Sequence, residues 1–217
     1  MPSVTLKPDK VFRVGKILCV GQNYTKHVKE MNAKKSADPV LFLKPATSLL
    51  HEGEDIVLPA FSNEVHHEVE LALLVNKNAK NIPGEKWQNY ITGAGIALDL
   101  TLRDLQQTAK QKGLPWSVSK GFDGACPISE FTPLSEIGDI DQLNISLHVN
   151  EELRQAGFTG DMIFKTDRLV AYMSTIFTLE PGDIILTGTP AGVSKLNPGD
   201  IIRASIERLG SITFHVR

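Results

Sequence analysis

The sequence predicts a β-rich α+β fold with few short helices, folded as one domain over residues 1–217. Three observations predict it. Short apolar or β-branched runs bounded by Gly, Pro, Asn or Asp recur along the chain. Helical patterns are fewer. The two kinds of element do not alternate regularly, which argues against a doubly wound parallel sheet. A chain of 217 residues can bury a core without disulfide or metal staples.

Taken in order, strands are expected at Lys16 to Val20, Val40 to Leu43, Val69 to Val75, Ile91 to Leu98, Leu143 to Val149, Ile184 to Thr187, Ile201 to Ile206 and Ile212 to Val216. Two of them follow the same turn, Pro181-Gly182-Asp183 and Pro198-Gly199-Asp200, where Pro and Gly supply turn geometry before a β-branched run. A short helix is expected from Tyr24 to Met31. A second opens at Thr101-Leu102-Arg103-Asp104, which resembles a capping box, and stops near Gly113. A third, capped by Thr166 or Asp167, carries Leu169, Val170, Met173 and Ile176 at helical spacing.

Composition narrows the function classes. The net charge of -2 gives no basic field to attract phosphate backbones, so nucleic acid is not an expected partner. The longest apolar runs are far too short to span a bilayer, and the N-terminus has no uninterrupted apolar stretch of the secretory kind. Cys19 and Cys126 suggest no disulfide framework, so a reducing compartment, the cytoplasm by default, is expected.

The most informative segment is His66-His67-Glu68-Val69-Glu70-Leu71-Ala72-Leu73. On a strand, Glu68 and Glu70 share a face, with His66 behind them and Val69, Leu71 and Leu73 opposite. Two carboxylates that close repel unless a cation lies between them. Either the face is solvated, or it holds a hard cation such as Mg²⁺ that takes oxygen ligands. Asp99 ends the small, apolar run from Gly93 to Leu98. Its charge either caps the next helix or needs a buried partner. Spacing alone does not bring it to the glutamates.

Several runs together carry a resemblance: Val20-Gly21-Gln22-Asn23-Tyr24 with His27 and Glu30, Leu41-Phe42-Leu43-Lys44-Pro45, His67-Glu68-Val69-Glu70-Leu71, Leu98-Asp99-Leu100-Thr101, Gly113-Leu114-Pro115-Trp116 with Lys120, and the segment from Gly182 to Val193. In order and over about residues 15–217, the chain resembles the fumarylacetoacetate hydrolase family, most of all its short single-domain branch of acylpyruvases and oxaloacetate decarboxylases. The resemblance implies a mixed β-roll of the family's C-terminal-domain type, residues 1–15 being an N-terminal extension. It implies a divalent metal, Mg²⁺ with Mn²⁺ or Ca²⁺ as substitutes, held by Glu68, Glu70 and Asp99. It also implies a homodimer and a mobile lid over about residues 22–38. His27 and Glu30 match the catalytic pair on that lid, and Lys120 matches a third catalytic position. Arg103, Gln106 and Thr189 match positions near substrate. Gln22 stands where many close relatives carry Arg, which removes one possible carboxylate clamp.

The residue types agree with these roles. His27 and Glu30 lie three apart and share a helix face, so Glu30 can orient an imidazole that takes a proton from water. By themselves they also suit an ordinary surface pair. Lys120 can neutralise a substrate carboxylate or an enolate oxygen, although a lone Lys more often lies on the surface. Thr187-Gly188-Thr189-Pro190 either is a plain turn or lets backbone N–H groups approach an anion. The expected substrate is a small 2-oxo acid. The expected reaction is hydrolysis of the carbon–carbon bond of acylpyruvates of the fumarylpyruvate or acetylpyruvate type, with oxaloacetate decarboxylation or keto–enol interconversion at the same site. A hydratase or isomerase of 2-oxo-dienoates, and an idle binding protein, are the other readings. The intact set of acids, lid pair and lysine favours an enzyme.

Overall fold

The computed structural model describes residues 2–217. Eleven strands frame two sheets. In chain order they are β1 (Lys16–Gly21), β2 (Val40–Pro45), β3 (Leu49–His51), β4 (Val69–Val75), β5 (Ile91–Leu98), β6 (Cys126–Ile128), β7 (Asn144–Val149), β8 (Glu152–Phe158), β9 (Ile184–Leu186), β10 (Ile201–Ile206) and β11 (Gly210–His215). The larger sheet runs β2-β1-β9-β4-β5-β6-β3, with the short strand Thr132–Pro133 also paired to β5. It is mixed: β1 with β9 and β6 with β3 are parallel, and the other pairs are antiparallel. The smaller sheet, β8-β7-β10-β11, is antiparallel throughout. Helices α1 (Thr25–Glu30), α2 (Arg103–Lys112), α3 (Ser117–Lys120), α4 (Leu134–Ile137) and α5 (Thr166–Ile176) are short. The fold is the sheet-rich α+β roll that the sequence predicts.

Each predicted strand forms, with ends moved by a few residues. Gly182 and Gly199 take the left-handed backbone (φ 91° and 92°) in the two repeated turns, which suits glycine. The predicted caps do not form. Leu102 precedes α2, and Thr101 turns its hydroxyl onto the carbonyl of Asp99. Lys165 precedes α5, while the Thr166 hydroxyl donates to Asp141. A backbone carbonyl in one case and a carboxylate in the other take these hydroxyls instead. Gly113 does close α2, in the left-handed conformation.

Strand β4 is buried on both faces, and this decides where the acids go. Val69, Leu71, Leu73 and Val75 enter the main core with Ile96 and Leu98 of β5 and with Ile145, Leu147 and Ile202 of the smaller sheet. Ala72 and Leu74 face a second cluster with Ile17, Cys19, Cys126, Ile184 and Leu186. Glu70 shares this second face by the two-residue period of a strand. Residues Ser3–Leu6 and Lys10–Arg13 pair as an antiparallel hairpin whose Val4, Leu6 and Phe12 cover the second cluster. The N-terminal extension is therefore packed against the rest of the chain.

Candidate active site

Glu68 precedes β4, Glu70 lies within it, and Asp99 follows the neighbouring β5. Antiparallel pairing sets Val69 opposite Leu98, and the Asp99 amide donates to the Glu68 carbonyl at 2.8 Å. The register thus forces the three acids together. Their carboxylate oxygens lie within 4.8 Å of one another. Residue exposures of 4%, 1% and 1% rule out the solvated face, and α2 begins after Leu102 with no side-chain cap, which rules out Asp99 as its cap. His66, expected behind them, pairs instead with Glu64 at 3.2 Å.

Three cations balance these charges. Lys120 Nζ donates to Glu68 Oε2 at 2.8 Å and to Asp99 Oδ2 at 2.6 Å. Arg103 pairs with Glu68 and also donates to Gln106 Oε1 at 2.7 Å, which leaves the Gln106 NH₂ as its free end. Lys44 is wholly buried, 2.8 Å from Asp99 Oδ1 at an angle too poor for a hydrogen bond. Lys44 also donates to the carbonyls of Leu100, Lys120 and Ala125, so it ties together the loops that carry Asp99 and Lys120.

The two glutamates respond oppositely to burial. Burial, then the charges of Asp99 and Glu68, pushes the Glu70 carboxyl well above its ordinary value. Burial pushes Glu68 the same way, but Lys120 and Arg103 beside it hold it well below. Lys120 is held protonated against its own burial by Asp99 and Glu68. Glu70 lacks such a cation and receives only the Gly188 N–H, at 2.6 Å. The anion that the Thr187-Gly188-Thr189 loop approaches is thus the chain's own carboxylate. An all-oxygen, buried, triply acidic set with one member short of positive charge suits a hard divalent cation.

A narrow cavity reaches this cluster from outside. It is lined by Glu68, Lys120, Arg103, Gln106 and His27, together with Gln22, Met31, Phe42, Lys110 and Trp116. Glu68 and Lys120 close its floor. A wider cleft nearby, between Leu43, Leu114, Trp116 and Phe177, has no titratable group on its walls.

His27 and Glu30 sit on α1, and His27 Nδ1 donates to Glu30 Oε2 at 2.9 Å. Gly192 N–H donates to Glu30 Oε1 at 2.9 Å, so the carboxylate is fixed on both sides. With Nδ1 committed to Glu30, Nε2 is the ring nitrogen free for a ligand. The segment from 22 to 38 is not uniformly loose, as its lysines suggested. Asn23, Tyr24, His27 and Val28 are buried, and Asn23 bonds both Phe164 backbone groups and the Thr187 carbonyl. Lys34 and Lys35, beyond α1, are exposed.

Thr189 is placed by Gln155, a residue that sequence reasoning missed. Gln155 Oε1 accepts from Val69 N–H at 3.1 Å, while Nε2 donates to the Pro190 carbonyl at 2.8 Å. These backbone partners fix the amide's orientation. Nε2 also donates to Thr189 Oγ1 at 2.8 Å, so the Thr189 hydroxyl proton remains available. His67 Nδ1 must then donate to Gln155 Oε1, and Nε2 accepts from the Ser194 hydroxyl. Lys44, His67 and Asn23 stood in recognisable runs, yet only the strand period at Phe42-Leu43-Lys44 hinted that one of them points inward. Gln155 carried no such signal. Cys19 and Cys126 are free and buried, and burial pushes the Cys126 thiol up to about 12, so it does not supply a thiolate.

Burial, only partly offset by Gln155, lowers the His67 pKa to about 4. The unfolded chain therefore binds the extra proton first as pH falls. The stability from neutral His67 is complete above about pH 6.5 and is lost as pH falls toward about 4, roughly 3 kcal/mol in all. Denaturant titrations of wild type and His67→Gln between pH 7 and 4 are expected to show the gap between them shrinking as pH falls. A constant gap would contradict a buried neutral His67.

The family model for the fumarylacetoacetate (FAA) hydrolase C-terminal domain matches residues 16–217. A Homo sapiens protein named oxaloacetate tautomerase FAHD1, mitochondrial, is 46% identical over 200 residues, 92% of this chain and 90% of its own length. The Arabidopsis thaliana protein of the same name is 46% identical over 209 residues, 96% of this chain and 94% of its own. Among solved structures, a fumarylpyruvate hydrolase from Pseudomonas aeruginosa, in complex with Mn²⁺ and pyruvate, superposes with a TM-score of 0.94 at 34% identity, covering 99% of this chain and 94% of that one. A 2-hydroxyhepta-2,4-diene-1,7-dioate isomerase from Mycobacterium marinum is similar at a TM-score of 0.83 and 34% identity, over 95% of this chain and 77% of that one. No helix among the described residues is long and apolar enough to cross a membrane.

Proposed function

The chain belongs to the fumarylacetoacetate hydrolase family, and from that premise we propose a Mg²⁺-dependent enzyme that acts on small 2-oxo acids through their enol forms. Keto–enol interconversion or decarboxylation of oxaloacetate is its first activity, and hydrolytic cleavage of acylpyruvates is a second activity of the same site. Relatives named oxaloacetate tautomerase, at 46% identity over nine-tenths of the chain, support ranking that activity first, where the sequence alone suggested hydrolysis. The observation that carries the reading is the buried Glu68–Glu70–Asp99 set, closed by Lys120, at the floor of a cavity that also receives His27.

Glu68, Glu70 and Asp99 would hold the cation, which when bound supplies a Lewis acid for the 2-oxo group and its neighbouring carboxylate. Lys120 would leave Glu68 and Asp99 for the substrate, where its charge stabilises an enolate oxygen. Gln106 NH₂ and the Thr189 hydroxyl would orient the substrate by donation. In keto–enol exchange, one group takes a proton from C3 and one returns a proton to the 2-oxygen. His27 Nε2 and Lys120 Nζ line the cavity and suit these transfers. In hydrolysis, His27 takes a proton from water, the hydroxide adds to the distal carbonyl, and the carbon–carbon bond breaks. The electron pair passes to the pyruvate enolate, which regains a proton at C3. The cavity is narrow, about 30 Å³. Movement of α1 and its neighbours, a lid, would admit the substrate and then exclude water.

The test is purified protein with and without Mg²⁺ against oxaloacetate, acetylpyruvate and fumarylpyruvate, following enol disappearance, CO₂ and pyruvate. Mg²⁺-dependent turnover, abolished by chelator, is expected for oxaloacetate and at least one acylpyruvate. No turnover of any of the three with Mg²⁺ or Mn²⁺ would overturn the proposal.

A further inference from the structure

We infer that Lys110, lying over Trp116 at the mouth of the cavity, forms a subsite for a second carboxylate, so that the preferred substrates are 2-oxo dicarboxylates and not 2-oxo monocarboxylates. This rests on the reading of the cavity as a 2-oxo-acid site. The three cations at the floor, Lys44, Arg103 and Lys120, are all taken up by Glu68 and Asp99. His27 is committed to Glu30. Of the cations lining the cavity, Lys110 has no hydrogen-bond or ion-pair partner among the described residues. A divalent cation on the acids would add further positive charge. The first carboxylate of a 2-oxo acid, directed to the floor, leaves Lys110 unanswered, and a second carboxylate answers it.

Its placement suits that task. Lys110 is on the last turn of α2, one helical turn beyond Gln106, so the two side chains lie on one helix face. Its ammonium lies 5.2 Å from the Trp116 ring centroid, a cation–π contact that keeps the charge over the cavity mouth. Lys110 is an exposed residue, yet partial burial of its ammonium, then Arg103 and Lys120, lowers its pKa. Crowding by like charge is what an incoming anion relieves. Gln22, on the same cavity wall at φ 62°, offers a neutral amide that can donate to the same carboxylate.

The test compares fumarylpyruvate, which has two carboxylates, with acetylpyruvate, which has one. Lys110→Met is expected to lower the ratio of their kcat/KM values about tenfold, the lower range for a charged hydrogen bond at an exposed position. Lys110→Arg is expected to keep the ratio near wild type. An unchanged ratio in Lys110→Met would overturn the subsite. If wild type turns over neither compound, the hydrolytic activity fails separately, and calorimetry on the Mg²⁺-loaded protein decides the subsite. Tighter binding of 2-oxoglutarate than of 2-oxobutyrate, with the difference lost in Lys110→Met, supports it. Equal binding of the two by wild type overturns it.

Discussion

Replacing Glu70 by Gln is expected to abolish Mg²⁺ binding and to reduce metal-dependent turnover by more than about 10³-fold, since a Lewis acid contributes several kcal/mol to such reactions. The change is small in shape. Gln keeps an oxygen to accept the Gly188 N–H that Glu70 Oε2 now receives at 2.6 Å. What it removes is one of three negative charges, the one with no cation of its own. Asp99 and Glu68 already disfavour that charge, as burial does. The metal-free variant should therefore melt at or above the wild-type temperature while losing the metal. The pairing of these two readouts matters, because a merely structural Glu70 would destabilise the fold when replaced. Calorimetry with Mg²⁺ and a thermal melt in chelator check both. Unchanged Mg²⁺ affinity would remove Glu70 from the ligand set.

His27→Ala is expected to separate two activities. Hydrolysis of an acylpyruvate needs an activated water, and His27, fixed through Nδ1 to Glu30 at 2.9 Å, presents Nε2 as the base. Loss of a positioned general base costs about 10²–10⁴-fold. Decarboxylation of oxaloacetate needs mainly an electron sink at the acid cluster and Lys120, so it should fall much less. Asp99→Ala should remove both, because Asp99 also anchors Lys44 and Lys120. The experiment measures kcat/KM for both substrates in both variants. Equal loss of the two activities in His27→Ala would make His27 a positioning residue. Its buried ring, docked through Glu30 to Gly192, would then hold the closed lid.

The sequence by itself determined eight of the eleven strands, the three main helices and the face shared by Glu68 and Glu70. It did so because these depend on local periodicity and on turn residues such as Gly182 and Gly199. The family motifs identified His27, Glu30, Asp99 and Lys120 as well, but spacing could not join them. Only the tertiary structure decided that Asp99 meets the glutamates. The register between β4 and β5, set by packing on both faces, brings together residues some thirty positions apart. It also decided what the acids meet. Lys44 and Gln155 reach the site from β2 and β8, and no local pattern reports a partner from another strand. The same reason explains one of the two failed caps. Thr166 has good local capping chemistry, but the Asp141 carboxylate, 25 positions away in sequence, takes its hydroxyl, while Thr101 turns back onto the Asp99 carbonyl.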